Sequence, residues 1–175
     1  MRILLFTLFL TLITISFGQT VDLDSIDNNY IRILAIQNWD EVVHISAEDE
    51  STEGGEINYY YNENKLEKIS VDYFGEMGKS SKEFYLMNGK LSFVYEINHT
   101  YNLPIYLDSI TAAEHGETAF FDSKKSKNTV KSTYIANGIL LEQIPAIAFD
   151  SKIRKAEANR LMADFEKLLI KLESK

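Results

Sequence analysis

The chain contains 175 residues, carries a formal net charge of −8 and has no cysteine. An acidic surface repels phosphate groups, so the charge argues against nucleic acid and anionic membranes as partners. Because disulfides are excluded, a packed core must supply the stability, and a chain of this length can bury enough surface to do so.

The first 18 residues have the composition of a signal peptide. Met1-Arg2 is positively charged, residues 3–15 are apolar apart from threonines, and Ser16-Phe17-Gly18 places small residues before a cleavage site. The apolar run is shorter than the roughly 20 residues that span a bilayer. We therefore expect an exported bacterial protein, periplasmic or extracellular, in which residues 19–175 form one domain without stable membrane insertion after cleavage.

The predicted elements begin with a helix over residues 22–37, because apolar residues recur at helical spacing from Ile26 to Leu34. The β-branched residues at 42–45 predict a short strand. An acidic loop over 48–55 follows the strand and ends in two glycines.

A seven-residue cassette recurs three times, at residues 60–66, 85–91 and 134–140. Each copy begins with tyrosine, carries Glu-Asn or Asn-Gly at its centre and ends in leucine. A two-residue hairpin turn needs positive φ, which Asn and Gly tolerate. The cassettes therefore predict three β-hairpins, with turns at 62–65, 88–89 and 137–138.

Apolar and polar residues alternate along the strands between these turns, as in antiparallel strands with one buried face and one wet face. In the strand after the second turn, this pattern places Leu91, Phe93 and Tyr95 on the buried face and Glu96 on the wet face. A weaker hairpin is predicted at His115-Gly116, with residues 117–121 as its second strand.

The last predicted element is an amphipathic helix over residues 151–173. Its apolar stripe runs through Leu161, Phe165, Leu168 and Leu172. This stripe must pack on the apolar face of the sheet. We therefore predict an α+β fold, a single antiparallel β-meander of about six to eight strands. An N-terminal helix and the C-terminal amphipathic helix pack on this sheet.

The cassettes resemble the MORN-type and YD-type hairpin repeats of bacterial proteins, which also contain aromatic-x-x-Asn-Gly-x-Leu segments. The resemblance covers residues 56–98 and 131–144, and it departs from the pattern at Glu63-Asn64. It implies a sheet scaffold that can present a binding surface. It transfers no catalytic residues.

Metal and catalytic signals are weak. The three histidines, His44, His99 and His115, do not have the spacing of metal ligands. The acidic run at 48–53 offers oxygen ligands for calcium but lacks the Asp-x-Asp-x-Asp-Gly order, so a solvated loop is the simpler interpretation. We predict no metal site, no cofactor and no catalytic residue, and we favour a protein that is not an enzyme.

Tyrosine is abundant, with ten copies, and it begins every cassette. Tyr60, Tyr85 and Tyr134 are the predicted ligand-binding residues, because tyrosine combines a ring that packs with a hydroxyl that hydrogen-bonds. The simpler alternative is cross-strand aromatic pairing that stabilises the sheet. The expected function is an exported, non-catalytic module that binds a glycan, a peptide or a protein through an aromatic-rich sheet face.

Two other functions stay open at this point. A small hydrolase would use carboxylates of the loop 48–53 or Glu117 as acid and base. A chaperone-like carrier would hold an apolar ligand in a cavity under the C-terminal helix. The sequence gives no oligomeric state.

Overall fold

The computed structural model describes residues 21–148 and 150–174. Its helices are α1 (Leu23–Leu34), α2 (Ser109–Glu114) and α3 (Ser151–Glu173). Its strands are β1 (Glu41–Ser46), β2 (Gly55–Asn62), β3 (Lys65–Gly75), β4 (Gly78–Met87), β5 (Lys90–Thr100), β6 (Lys127–Ala136) and β7 (Ile139–Ile144). The predicted signal peptide at residues 1–18 lies outside the described residues.

The seven strands form one antiparallel sheet in the order β1-β2-β3-β4-β5-β6-β7, so every strand pairs with its neighbours in sequence. Helix α1 precedes this meander and α3 follows it, and both pack on the sheet. The predicted α+β fold is confirmed. None of the helices in the described ranges is long and apolar enough to cross a membrane.

The three cassettes form three hairpins of the same geometry. Their turn residues, Glu63-Asn64, Asn88-Gly89 and Asn137-Gly138, all have positive φ, between 49° and 76°. In each hairpin the first tyrosine of the cassette pairs with the residue eight positions after it. The residue that follows this tyrosine pairs with the residue only five positions after itself. The second strand of each hairpin therefore contains one extra residue, a β-bulge at Glu67, Ser92 and Leu141.

The two long helices cover opposite faces of the sheet. On the face that we call the α3 face, Leu161, Phe165 and Leu168 pack against apolar residues of β2 to β6. On the other side, the α1 face, Ile26 and Ile33 pack with aromatic residues of β4 to β6. Each face therefore has an apolar cluster under its helix.

This arrangement corrects the prediction of a single buried face for β5. The bulge at Ser92 turns Leu91 toward α3, whereas Phe93 and Tyr95 point to the α1 side. Glu96, which the alternation placed in water, is 5% exposed. The single-face prediction was wrong because it included neither the bulge nor a helix on each side of the sheet.

The predicted hairpin at His115-Gly116 was also wrong. A short helix, α2, occupies residues Ser109–Glu114, and no strand follows at 117–121. The Asp108 carboxylate accepts hydrogen bonds from the backbone N–H groups of Ile110 and Thr111, at 3.0 and 2.8 Å. This side-chain cap begins a helix where the sequence pattern indicated a turn.

A cluster of charged residues joins α3 to the sheet, and we call it the α3 ion cluster. Its members are Lys82, Glu96, Lys131, Glu157, Arg160 and Asp164. The Glu96 carboxylate lies 2.7 Å from Lys131, 3.1 Å from Arg160 and 3.5 Å from Lys82. Three cations thus balance three carboxylates, which allows Glu96 to be buried as an ion.

We expect the fold to lose stability in acid through Glu157. The Arg160 guanidinium lowers the pKa of Glu157 from its ordinary value of 4.5 to about 2. A carboxyl group with a lowered folded-state pKa stabilises the fold above its unfolded pKa, and this contribution is lost as the pH falls through the folded value. The melting temperature, followed by circular dichroism, should therefore fall between pH 4.5 and pH 2.

The matched variant is Glu157→Gln, which cannot ionise. Its melting temperature should fall less steeply than that of the wild type over the same pH range. Identical pH profiles for the two proteins would contradict the assignment of this acid sensitivity to Glu157.

Candidate functional site

The three tyrosines predicted to bind ligand lie in one row across the sheet. Tyr60 pairs with Lys68, which pairs with Tyr85, and the row continues through Phe93 to Tyr134. All five residues belong to the α1 face. The cassettes cause this alignment, because each one places its first tyrosine at the same distance from its turn.

Helix α1 covers the centre of this row. The Tyr30 ring centroid lies 4.9 Å from that of Tyr85 and 4.7 Å from that of Phe93. Tyr85 is fully buried, its hydroxyl donates to Glu83 Oε2 at 2.7 Å, and burial raises its pKa above the ordinary value. Because α1 covers Tyr85, this side chain packs in the core and is not exposed to solvent.

Tyr134 lies at the far end of the row and is half-buried. Its hydroxyl donates to Asp27 Oδ1 of α1 at 2.9 Å. Burial, together with this carboxylate, raises the pKa of Tyr134 to about 12. The bond ties α1 to β6, so the Tyr134 hydroxyl already has a partner within the protein.

Tyr60 occupies the opposite end of the row and is also half-buried. Its ring centroid lies 5.2 Å from that of Trp39 and 4.4 Å from Lys68 Nζ, which is cation–π distance. The Tyr60 hydroxyl lies 3.4 Å from Ser70 Oγ. These contacts fix the ring beside the part of the sheet that α1 leaves uncovered.

Two rows of mainly polar residues lie next to the tyrosine row on the same face. The nearer row contains Asn58, Ser70, Glu83 and Tyr95, and the farther row contains Glu56, Asp72, Ser81 and Ile97. Together with Tyr60 they line a groove of about 360 Å³, which we call the sheet groove. This volume falls within the range of small-molecule sites, about 300–1,000 Å³.

Hydrogen bonds within the sheet groove orient its polar groups. Glu83 Oε1 accepts from Lys68 Nζ at 3.2 Å, and the Ser81 hydroxyl donates to Asp72. Asn58 Oδ1 lies 2.9 Å from His44 Nδ1 on the neighbouring strand. A preorganised surface of this kind loses little entropy when it binds a ligand.

The sheet groove is electrostatically negative. Three carboxylates line it, Glu56, Asp72 and Glu83. Lys68 pairs with Glu83, and the lining Lys82 pairs with Glu96 and Asp164, which are not part of the lining. Anionic ligands are disfavoured by like-charge repulsion. Uncharged ligands that can donate hydrogen bonds fit this set of acceptors.

The two polar rows were not predicted as a site. The alternation along the strands assigned such polar residues only to a wet face, and the predicted ligand-binding residues were the tyrosines. The usable signal was the alternation of polar residues in β2 and β3. Their alignment with Glu83 and Tyr95 depends on strand register, which becomes visible only in the structure.

The carboxylates proposed for a hydrolase belong to two different connections of the sheet, β1 to β2 and β5 to β6. Glu117 is exposed after α2, and Glu50 is bound by Lys171, Lys167 and Tyr73. These donors, with Lys171 the strongest, lower the pKa of Glu50 to about 2, so Glu50 holds no proton to donate near neutral pH.

The interface between α3 and the sheet bears on the carrier alternative. Leu161 is fully buried there, and Phe165 and Leu168 are 5% and 6% exposed. A cavity of about 100 Å³ lies beside α3, where Val71 and Phe84 form part of its lining. An apolar cavity of about 150 Å³ holds one benzene molecule, so this space suits only a small group.

The acidic run at 48–53, considered above for calcium binding, lies in the connection between β1 and β2. Glu48–Glu50 forms a single turn of 3-10 helix, which turns Glu50 toward α3. Among the described residues, no group of three His, Asp or Glu side chains is arranged to hold a metal ion.

Comparison with protein-family models, curated proteins and solved structures found no match for this chain. The resemblance of the cassettes to MORN-type and YD-type repeats therefore stays a prediction.

Proposed function

We propose that the protein is a non-catalytic binding module whose ligand is an uncharged oligosaccharide held in the sheet groove. The observation that carries this proposal is the half-exposed Tyr60 ring beside two ordered rows of amide, hydroxyl and carboxylate side chains. A sugar ring has apolar C–H faces that pack on an aromatic ring and hydroxyls that bond to such polar groups.

The charge of the sheet groove supports an uncharged ligand over an anionic one. Sugar hydroxyls can donate to Glu56, Asp72 and Glu83 without introducing a charge. Tyr95, next to Glu83 across β4 and β5, supplies a second aromatic surface. Export is part of this proposal and rests on the composition of residues 1–18.

We expect Tyr60→Ala to weaken binding at least tenfold, because the substitution removes the ring on which the sugar packs. Binding is measured first on an array of neutral oligosaccharides and then, for the strongest ligand, by calorimetry. The matched control is Tyr106→Ala, since Tyr106 is 60% exposed in the segment between β5 and β6 and does not line the groove.

Two results would contradict the proposal. One is equal affinity of the Tyr60→Ala variant, the Tyr106→Ala variant and the wild type. The other is an array on which no neutral oligosaccharide binds while a parallel peptide array does, which would assign the groove to peptides.

A further inference from the structure

The second site that the structure indicates is centred on Glu50, on the α3 side of the sheet. Glu50 ends the single helical turn between β1 and β2. Its Oε2 atom accepts from the Tyr73 hydroxyl at 2.7 Å and from Lys167 Nζ at 3.2 Å. Its Oε1 atom accepts from Lys171 Nζ at 2.6 Å. Three donors from the sheet and from α3 thus converge on one carboxylate.

These donors stand at the mouth of the cavity of about 100 Å³ beside α3. The floor of the cavity is apolar and consists of Val71, Phe84 and Leu168. Lys82 lines one wall, where Asp164 neutralises it at 2.8 Å. The pocket therefore has a cationic mouth and an apolar interior.

The charge at the mouth exceeds what Glu50 alone balances. Lys167 and Lys171 share this one carboxylate, in a chain whose overall charge is −8. One donor would be enough to anchor the loop, yet two lysines and a tyrosine converge on Glu50. Charge-assisted donors that converge in this way are the usual means of binding a carboxylate.

We propose that this pocket binds a small carboxylate with a short apolar chain, and that Glu50 occupies the carboxylate position until a ligand displaces it. The ligand carboxylate bonds to Lys167, Lys171 and Tyr73, while its chain enters the space above Val71 and Leu168. Because Glu50 is tethered beside the site, it competes at high effective concentration and weakens binding to the wild type. The pocket lies on the sheet face opposite the sheet groove, so this proposal stands or falls separately from the oligosaccharide proposal.

The test uses butyrate as the probe and the Glu50→Ala variant as an unblocked site. At constant ionic strength, methyl NMR signals of Val71 and Leu168 report binding inside the pocket. We expect butyrate to bind Glu50→Ala at least tenfold more tightly than the wild type and to shift both methyl signals. Chloride, which has no apolar chain, should leave these methyl signals unchanged.

Two further variants serve as controls. Glu53→Ala removes a neighbouring exposed carboxylate of the same loop and should behave as the wild type. Adding Lys171→Ala to Glu50→Ala should abolish the gain in butyrate affinity, because a principal donor is lost. If Glu50→Ala fails to fold, Glu50→Gln removes the charge while preserving the size, and it should bind butyrate more tightly than the wild type.

The proposal is overturned if the Glu50 variant that folds binds butyrate no better than the wild type. It is also overturned if chloride shifts the Val71 and Leu168 methyl signals as much as butyrate does. A third contradicting result is that adding Lys171→Ala to Glu50→Ala leaves the butyrate affinity unchanged.

Discussion

Replacing Leu161 by alanine should lower the free energy of unfolding by about 3–5 kcal/mol. Leu161 is fully buried at the centre of the contact between α3 and the sheet. The substitution removes three buried carbon atoms and leaves a cavity that the surrounding strands, fixed by their hydrogen bonds, can fill only in part. Urea denaturation followed by circular dichroism measures the change.

The same helix provides a matched control. Ile170 is 66% exposed, so Ile170→Ala removes an aliphatic side chain of similar size that is mostly in water. Its effect should stay within about 1 kcal/mol. Equal losses in the two variants would contradict the packing of α3 through the stripe that contains Leu161.

Replacing Glu96 by alanine should cost about 2–4 kcal/mol, the second large effect that we expect. Removing this carboxylate leaves Lys82, Lys131 and Arg160 with two carboxylates in place of three. A buried charge that loses its partner is strongly destabilising. Removing one partner of a fully buried ion pair costs about 3–5 kcal/mol, and we expect a smaller cost here. The reason is that the side chains of these cations are 24%, 32% and 39% exposed and can turn toward water.

Glu41→Ala is the control for Glu96→Ala, since Glu41 is an exposed strand residue at the edge of the same sheet. It should change stability by no more than about 0.5 kcal/mol. A double-mutant cycle with Lys131→Met then isolates the coupling between Glu96 and Lys131. A coupling energy of zero would contradict the α3 ion cluster as a stabilising unit.

Local signals in the sequence predicted most of the fold. The Asn-Gly turns determined where the hairpins reverse, and the stripe from Leu161 to Leu172 predicted α3 with the bounds that the structure has. Both features depend on residues close together in the chain, where backbone preference and periodicity act directly. Weaker local signals could mislead, as the segment with α2 shows, because one capping aspartate, Asp108, decided between a turn and a helix.

The bulges limited what could be predicted about the faces of the sheet. A single extra residue, such as Ser92, moves every later side chain of its strand to the opposite face. The alternation alone therefore could not place Glu96 under α3 or Phe93 under α1.

The candidate site was predicted only in part. The tyrosines of the cassettes do lie in one row, but α1 covers Tyr85, and packing of a distant helix does not appear in a local pattern. The polar rows that contain Glu83 and Asp72 combine residues from four strands. Their proximity depends on the combined register of three strand pairings, β2 with β3, β3 with β4 and β4 with β5.

The most direct test of the sheet groove is an NMR titration of the labelled protein with the neutral oligosaccharide that binds most strongly on the array. We predict that the largest amide shifts fall on Asn58, Ser70, Glu83 and Tyr95, the uncovered row beside Tyr60. Shifts confined to α2 or to the edge strand β7, or no shifts at saturating sugar, would contradict a binding surface on this face.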